Sequence, residues 1–137
     1  MARTFAEAVA GLIAAAGWQR LRDGDDLLAA WASFVNEVAN GYDLDIYEYE
    51  NDRSVRDMIE RVLANEGLRD YPELADFARR VGEVDERFRS LMQDGVTVGE
   101  PETPWWARAV PRNAGPELSA DFIEHYGIAV PSGQRGE

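Results

Sequence analysis

A chain of 137 residues with 45% hydrophobic content and a net charge of −12 is long enough for one folded domain and too apolar for a disordered one. It contains no cysteine, which excludes a disulfide scaffold, a thiol nucleophile and a zinc site built on thiolates. All 14 basic residues are arginine, so Schiff-base catalysis and a phosphate-loop lysine are excluded as well.

Residues 1–17 carry one arginine, Glu7 and two glycines among interrupted apolar residues. That pattern fits neither a signal peptide nor a membrane span, and a cytoplasmic location is expected. Thr4 with Glu7 forms a capping box, and Phe5, Val9, Leu12, Ile13 and Ala16 follow the helical period until Gly17. After a connector over 18–22 and the turn signal Asp23-Gly24, Asp25 is a candidate cap for a second helix. Its stripe is Leu27, Leu28, Trp31, Phe34, Val35 and Val38, closed by Asn40-Gly41.

Residues 42–51 alternate well enough for a strand, yet Asp45 followed by Glu48 also reads as a cap; a short helix is the favoured reading. The next helix starts near Asp52 or Ser54, buries Val55, Met58, Ile59, Val62 and Leu63, and stops at Gly67. Pro72 opens the longest helix, whose Leu74, Phe77, Val81, Val84, Phe88 and Leu91 form a heptad seam running toward Gly95. Spanning 72–93, it would be roughly 33 Å long at about 1.5 Å per residue.

Residues 96–111 hold three prolines and Trp105-Trp106 and read as an extended arm with at most one short strand. In an extended arm, adjacent tryptophans point opposite ways, one toward the core and one toward solvent or a partner. Pro116 opens a last helix through Leu118, Phe122, Ile123 and Tyr126, closed by Gly127, and residues from 131 onward read as a frayed tail. The expected fold is all-α, with about five helices in a single domain over 1–130 and the extended arm before the last helix.

The charge is uneven. Residues 23–52 carry Asp23, Asp25, Asp26, Glu37, Asp43, Asp45, Glu48, Glu50 and Asp52 with no basic residue. Such a block repels nucleic-acid backbones and anionic membranes and attracts a basic partner. Tyr42, Tyr47 and Tyr49 lie among these acids, and tyrosine is an effective interface anchor. Tyr42, Asp43, Asp45, Tyr47, Glu48, Tyr49, Glu50 and Asp52 are therefore the candidate partner-binding residues, against the plainer reading of a solvated acidic face. In size, helical content and the acid–tyrosine region 42–52, the chain resembles the small acidic immunity proteins of bacteria that neutralise toxic nucleases. The resemblance implies inhibition of a basic partner. No signature motif aligns, so it assigns no residue a role.

Other chemistry finds little support. An EF-hand begun at Asp43 places Tyr47 at the fifth position, Glu48 where glycine is needed and Ser54 at the twelfth. His125, the lone histidine, lies in a last helical turn, where its cation suits the macrodipole, with Asp121 and Glu124 near enough to orient it. No metal site and no cofactor is expected. Arg53, Arg56 and Arg61 alternate with Asp57 and Glu60, while Arg79, Arg80, Arg87 and Arg89 lie among Glu83, Asp85 and Glu86. Such mixtures read as exposed ion pairs, and Arg53 and Arg56 have a second option in Glu48, Glu50 or Asp52. The leading expectation is a non-enzymatic acidic binding protein, monomeric or homodimeric, that binds neither nucleic acid nor membrane. The alternatives are a small enzyme or ligand-binding domain using carboxylates and arginines in a pocket, and a structural subunit or DNA mimic.

Overall fold

The computed structural model describes residues 3–132. Helix α1 (Phe5–Ala15) opens on the expected capping box: the Thr4 hydroxyl accepts from the Glu7 N–H at 3.1 Å, and the Glu7 carboxylate accepts from the Thr4 N–H at 2.8 Å. Helix α2 (Gly24–Ala39) is capped by Asp23 rather than Asp25, because Asp23 accepts from the Asp26 N–H at 2.9 Å. The six apolar residues of its stripe are all buried. Residues 42–51 resolve in favour of a helix: Asp45 accepts from the Glu48 N–H at 2.9 Å and starts α3 (Ile46–Arg53). Ser54 alone separates α3 from α4 (Val55–Leu63), which ends four residues short of Gly67; a separate 3-10 turn over Glu66–Leu68 follows and contains that glycine.

Helix α5 (Glu73–Ser90) carries the heptad seam, and the seam is consumed within the chain. Phe77, Val81 and Phe88 are buried, Phe77 meets Phe5 at 6.5 Å, and Phe88 meets Trp31 at 5.0 Å. α2 lies at the centre, packed on both α4 and α5. Its Trp31 and Phe34 join Tyr42, Tyr49, Phe88 and Phe122 in one aromatic core, where each fully buried ring contributes on the order of 2–3 kcal/mol.

The fold is mainly helical but not strictly all-α. α5 stops at Ser90, and strand β1 (Met92–Thr97) pairs antiparallel with β2 (Ala109–Pro111) across an irregular register. The cause lies at the helix end: the Leu91 carbonyl accepts from the Arg112 N–H at 2.8 Å, so the 109–112 segment supplies the partner that another helical turn would have supplied. The long helix therefore spans 18 residues, about 27 Å, not 22. Trp105 and Trp106 do not lie on an extended arm but open one helical turn, α6 (Trp105–Arg108), after Pro104. In a helix, neighbours diverge by about 100° rather than 180°, so both rings pack inward: Trp106 is buried and Trp105 half-buried against Phe88 at 6.1 Å.

The largest departure from the sequence reading concerns Arg56 and Asp85, which are buried rather than surface-paired. The guanidinium donates to both Asp85 oxygens at 2.9 Å, and Oδ1 also accepts from the Trp31 indole N–H at 2.9 Å. Glu60 takes a further bond from Arg56 at 3.1 Å, and the guanidinium lies 4.2 Å from the Trp106 ring centroid. Trp106 in turn donates its N–H to Asp57 at 2.7 Å. The arginine has no bond to Glu48, Glu50 or Asp52.

The chain ends on α7 (Pro116–Tyr126), with Gly127 at φ 68 supplying the left-handed cap. Beyond it, Val130 is buried and the Pro131 carbonyl accepts from the Ala114 N–H at 3.0 Å, so residue 131 is docked. The remainder of the expected tail, 133–137, lies outside the described residues. Among the described residues, no helix is long and apolar enough to cross a membrane.

Removing one member of the buried pair strands the other in a dry site. Asp85→Ala is expected to cost about 3–5 kcal/mol of stability in denaturant unfolding. The double variant R56M/D85L, which removes both charges, is expected to be more stable than either single variant.

Candidate docking surface on α3 and α7

The acidic block of 23–52 divides into two separate groups, with Glu37 exposed on α2 between them in sequence. Asp23 caps α2, Asp26 accepts from the Arg22 N–H at 2.8 Å, and Asp25 lies 3.6 Å from Arg80. The 16 residues of α2, about 24 Å of helix, separate these from the acids of 43–52. Only the second group adjoins exposed apolar surface.

Three contacts hold that group in place. The Gly115 N–H donates to the Tyr42 carbonyl at 2.7 Å, and the backbones meet so closely that a Cβ on residue 115 would stand 2.8 Å from Asp43. Only glycine allows this approach. Asp121 of α7 accepts from the Ile46 N–H at 3.0 Å, so α7 satisfies an unpaired donor at the start of α3. Tyr49 meets Phe122 at 6.1 Å beneath both helices.

The eight candidate residues therefore take different parts. Tyr42 and Tyr49 are buried and present nothing to a partner; they form the floor. Asp52 accepts from the Tyr42 hydroxyl at 2.6 Å, and Asp45 is engaged as the α3 cap. Asp43, Tyr47 and Glu48 stand exposed, with Tyr47 at 66%. Glu50 is half-buried, 3.4 Å from the Tyr126 hydroxyl.

α7 adds the residues that sequence reasoning left out. The Tyr47 ring meets His125 edge-on at 5.7 Å, and Glu124, His125 and Tyr126 are exposed beside it. Among the described residues, every exposed large hydrophobic lies either just before or on α3 (Leu44, Tyr47) or on α7 (Ile123, Tyr126). The amphipathic period of α7 carried part of the signal: Ile123 falls off the face of Leu118 and Phe122, whereas Tyr126, four residues after Phe122, continues that face and gave no such sign.

Among the described residues, none of Asp43, Asp45, Glu48, Glu50, Asp52, Asp121 and Glu124 makes an ion pair. Arg53, the basic residue of α3, lies 5.5 Å from the Tyr49 ring centroid instead. On α5, by contrast, Arg79 pairs with Asp76 and Glu83, both at 2.8 Å. Burial pushes the Tyr49 hydroxyl up to about 12, partly offset by the nearby Arg53 charge. Burial, then the bond to Asp52, raises Tyr42 still further, and burial with Glu50 raises Tyr126.

An open groove of about 580 Å³ lies elsewhere on the chain, between residues 16–21 and the α3–α4 junction. Trp18, Arg20, Asn51, Asp52 and Ser54 line it. No protein-family model, curated protein or solved structure matches the chain.

Raised tyrosine values make folding sensitive to alkali. Above the ordinary value of 10, the unfolded chain loses phenolic protons that the native state retains, so stability falls as pH rises toward 12. Denaturant unfolding between pH 8 and 12 is expected to show this decline, and Tyr49→Phe to flatten it. Among the described residues the buried Tyr49 hydroxyl, although it feels the Arg53 charge, makes no hydrogen bond of ordinary length and angle. At pH 7 the variant should therefore equal the wild type or exceed it by up to about 1 kcal/mol.

Proposed function

We propose that this is a non-enzymatic binding protein of the cytoplasm whose α3–α7 surface docks a basic protein, in the manner of an immunity-type inhibitor. The observation that carries the reading is Tyr47, an exposed aromatic anchor set among carboxylates that make no ion pair among the described residues. A large amphipathic ring that gives up water on contact is the usual energetic centre of a protein interface. Unpaired acids around it hasten the approach of a basic partner and reject acidic ones. The same charges oppose nucleic-acid backbones.

The floor of the surface supports this role. Tyr42, Tyr49 and Phe122 lock the two helices together, and Gly115 fixes their separation, so little ordering remains to be done on binding. A second reading, a small polar ligand held in the groove, is favoured by Arg20 and Asp52 lining its walls near Trp18.

Capture from native lysate at low and high salt distinguishes these readings. Immobilised wild type is expected to retain a basic protein at low salt and release it at high salt. Tyr47→Ala and the double variant D43N/E48Q are each expected to lose it. Retention unchanged in both variants overturns the assignment of this surface.

A further inference from the structure

We propose that Asp121, Glu124 and His125 form a binding site for a divalent transition ion of the zinc class on the last turns of α7. One ligand atom from each residue lies within 4.8 Å of the others. The spacing i, i+3, i+4 makes this geometry, because residues three and four apart are neighbours on a helix flank. Zinc holds nitrogen and oxygen donors at about 2.0–2.2 Å in a tetrahedron, so bound donors sit roughly 3.3 Å apart. Glu124 and His125 are exposed and can make that adjustment by side-chain rotation alone.

The fixed point of the set is Asp121. Its Oδ2 is held by the Ile46 backbone N–H at 3.0 Å, which orients the carboxylate and leaves Oδ1 for an ion. Bonds of this kind, from outside the donor set, orient metal ligands and tune their affinity. The His125 ring is set against Tyr47 at 5.7 Å, and among the described residues neither of its nitrogens is hydrogen-bonded within the chain. No arginine pairs with Asp121 or Glu124 among the described residues. The negative end of the α7 macrodipole adds to the attraction for a cation.

The donor set selects the ion. Calcium and magnesium require oxygen ligands, with six or more positions filled. One imidazole with two carboxylates suits zinc and its neighbours, with a fourth position open to water or to a group from another molecule. Metal binding here needs no protein partner and stands apart from the docking reading.

The test is calorimetric titration of the full chain, free of any histidine tag, with zinc chloride and in parallel with calcium chloride. One zinc ion per chain is expected, with no competition from calcium. His125→Gln and Asp121→Asn are expected to lose tenfold or more in zinc affinity. Glu48→Gln, which alters an acid of the same surface outside the donor set, is expected to bind as wild type. Far-UV circular dichroism confirms that each variant is folded. Zinc affinity unchanged in His125→Gln overturns the proposal, as does an equal loss in Glu48→Gln, which would mark a diffuse counter-ion. The absence of zinc binding by the wild type overturns it too.

Discussion

The buried contact between Arg56 and Asp85 is the constraint on which the rest of this structure depends. Two charges taken from water cost several kcal/mol each, and they persist only where geometry and additional hydrogen bonds repay that loss. Here the pair is bidentate, and the remaining capacity is filled by Trp31, Glu60 and the face of Trp106. Those residues come from α2, α4 and α6, while Asp85 comes from α5. One polar knot thereby fixes how four elements meet. Apolar packing alone would tolerate helices sliding by a turn; an unpaired buried charge would not.

That fixed register is transmitted to the surface through a very short connection. Ser54 alone joins α4 to α3, so once α4 is set on α5 and α2, α3 has little freedom of direction. Tyr49 then enters the aromatic core beside Phe34, and Tyr42 closes the same cluster from the preceding segment. With both tyrosines inside, Tyr47 must face outward. The exposed anchor is a geometric consequence of a core contact made some residues away.

Arginine as the exclusive basic residue has structural as well as compositional meaning. Guanidinium groups lie against Tyr49, Trp106 and Trp105 at 5.5, 4.2 and 3.8 Å. A planar, weakly hydrated cation can stack on a ring while its edges donate in plane, which a lysine ammonium cannot reproduce. At Arg56 both uses occur at once, with Asp85 at the edge and Trp106 at the face. Arg56 is thereby withdrawn into the core, and among the described residues no acid of α3 or α7 is ion-paired.

Much of the helical framework was legible in local sequence. The Thr4–Glu7 box, the α2 stripe, the Asp45 cap and the Pro116 start all rest on interactions within a turn or two, which residue order states directly. What required the tertiary structure was every choice between equivalent local options. Asp85 adjoins the apolar seam of α5, and nothing nearby in sequence reveals that Arg56, 29 residues earlier, will meet it. The Trp pair became a helical turn because Asp57 and Arg56 offered partners on one side. The acidic block looked continuous because sequence counts charge along the chain, whereas α2 carries its two ends apart. Likewise Tyr42, Tyr47 and Tyr49 are equivalent as residues, and only the packing of α3 on α2 and α7 decides which of them faces solvent. The sequence by itself determined where helices begin and how much charge the chain carries. The tertiary structure decided which of those charges are neutralised, because neutralisation depends on distance in space.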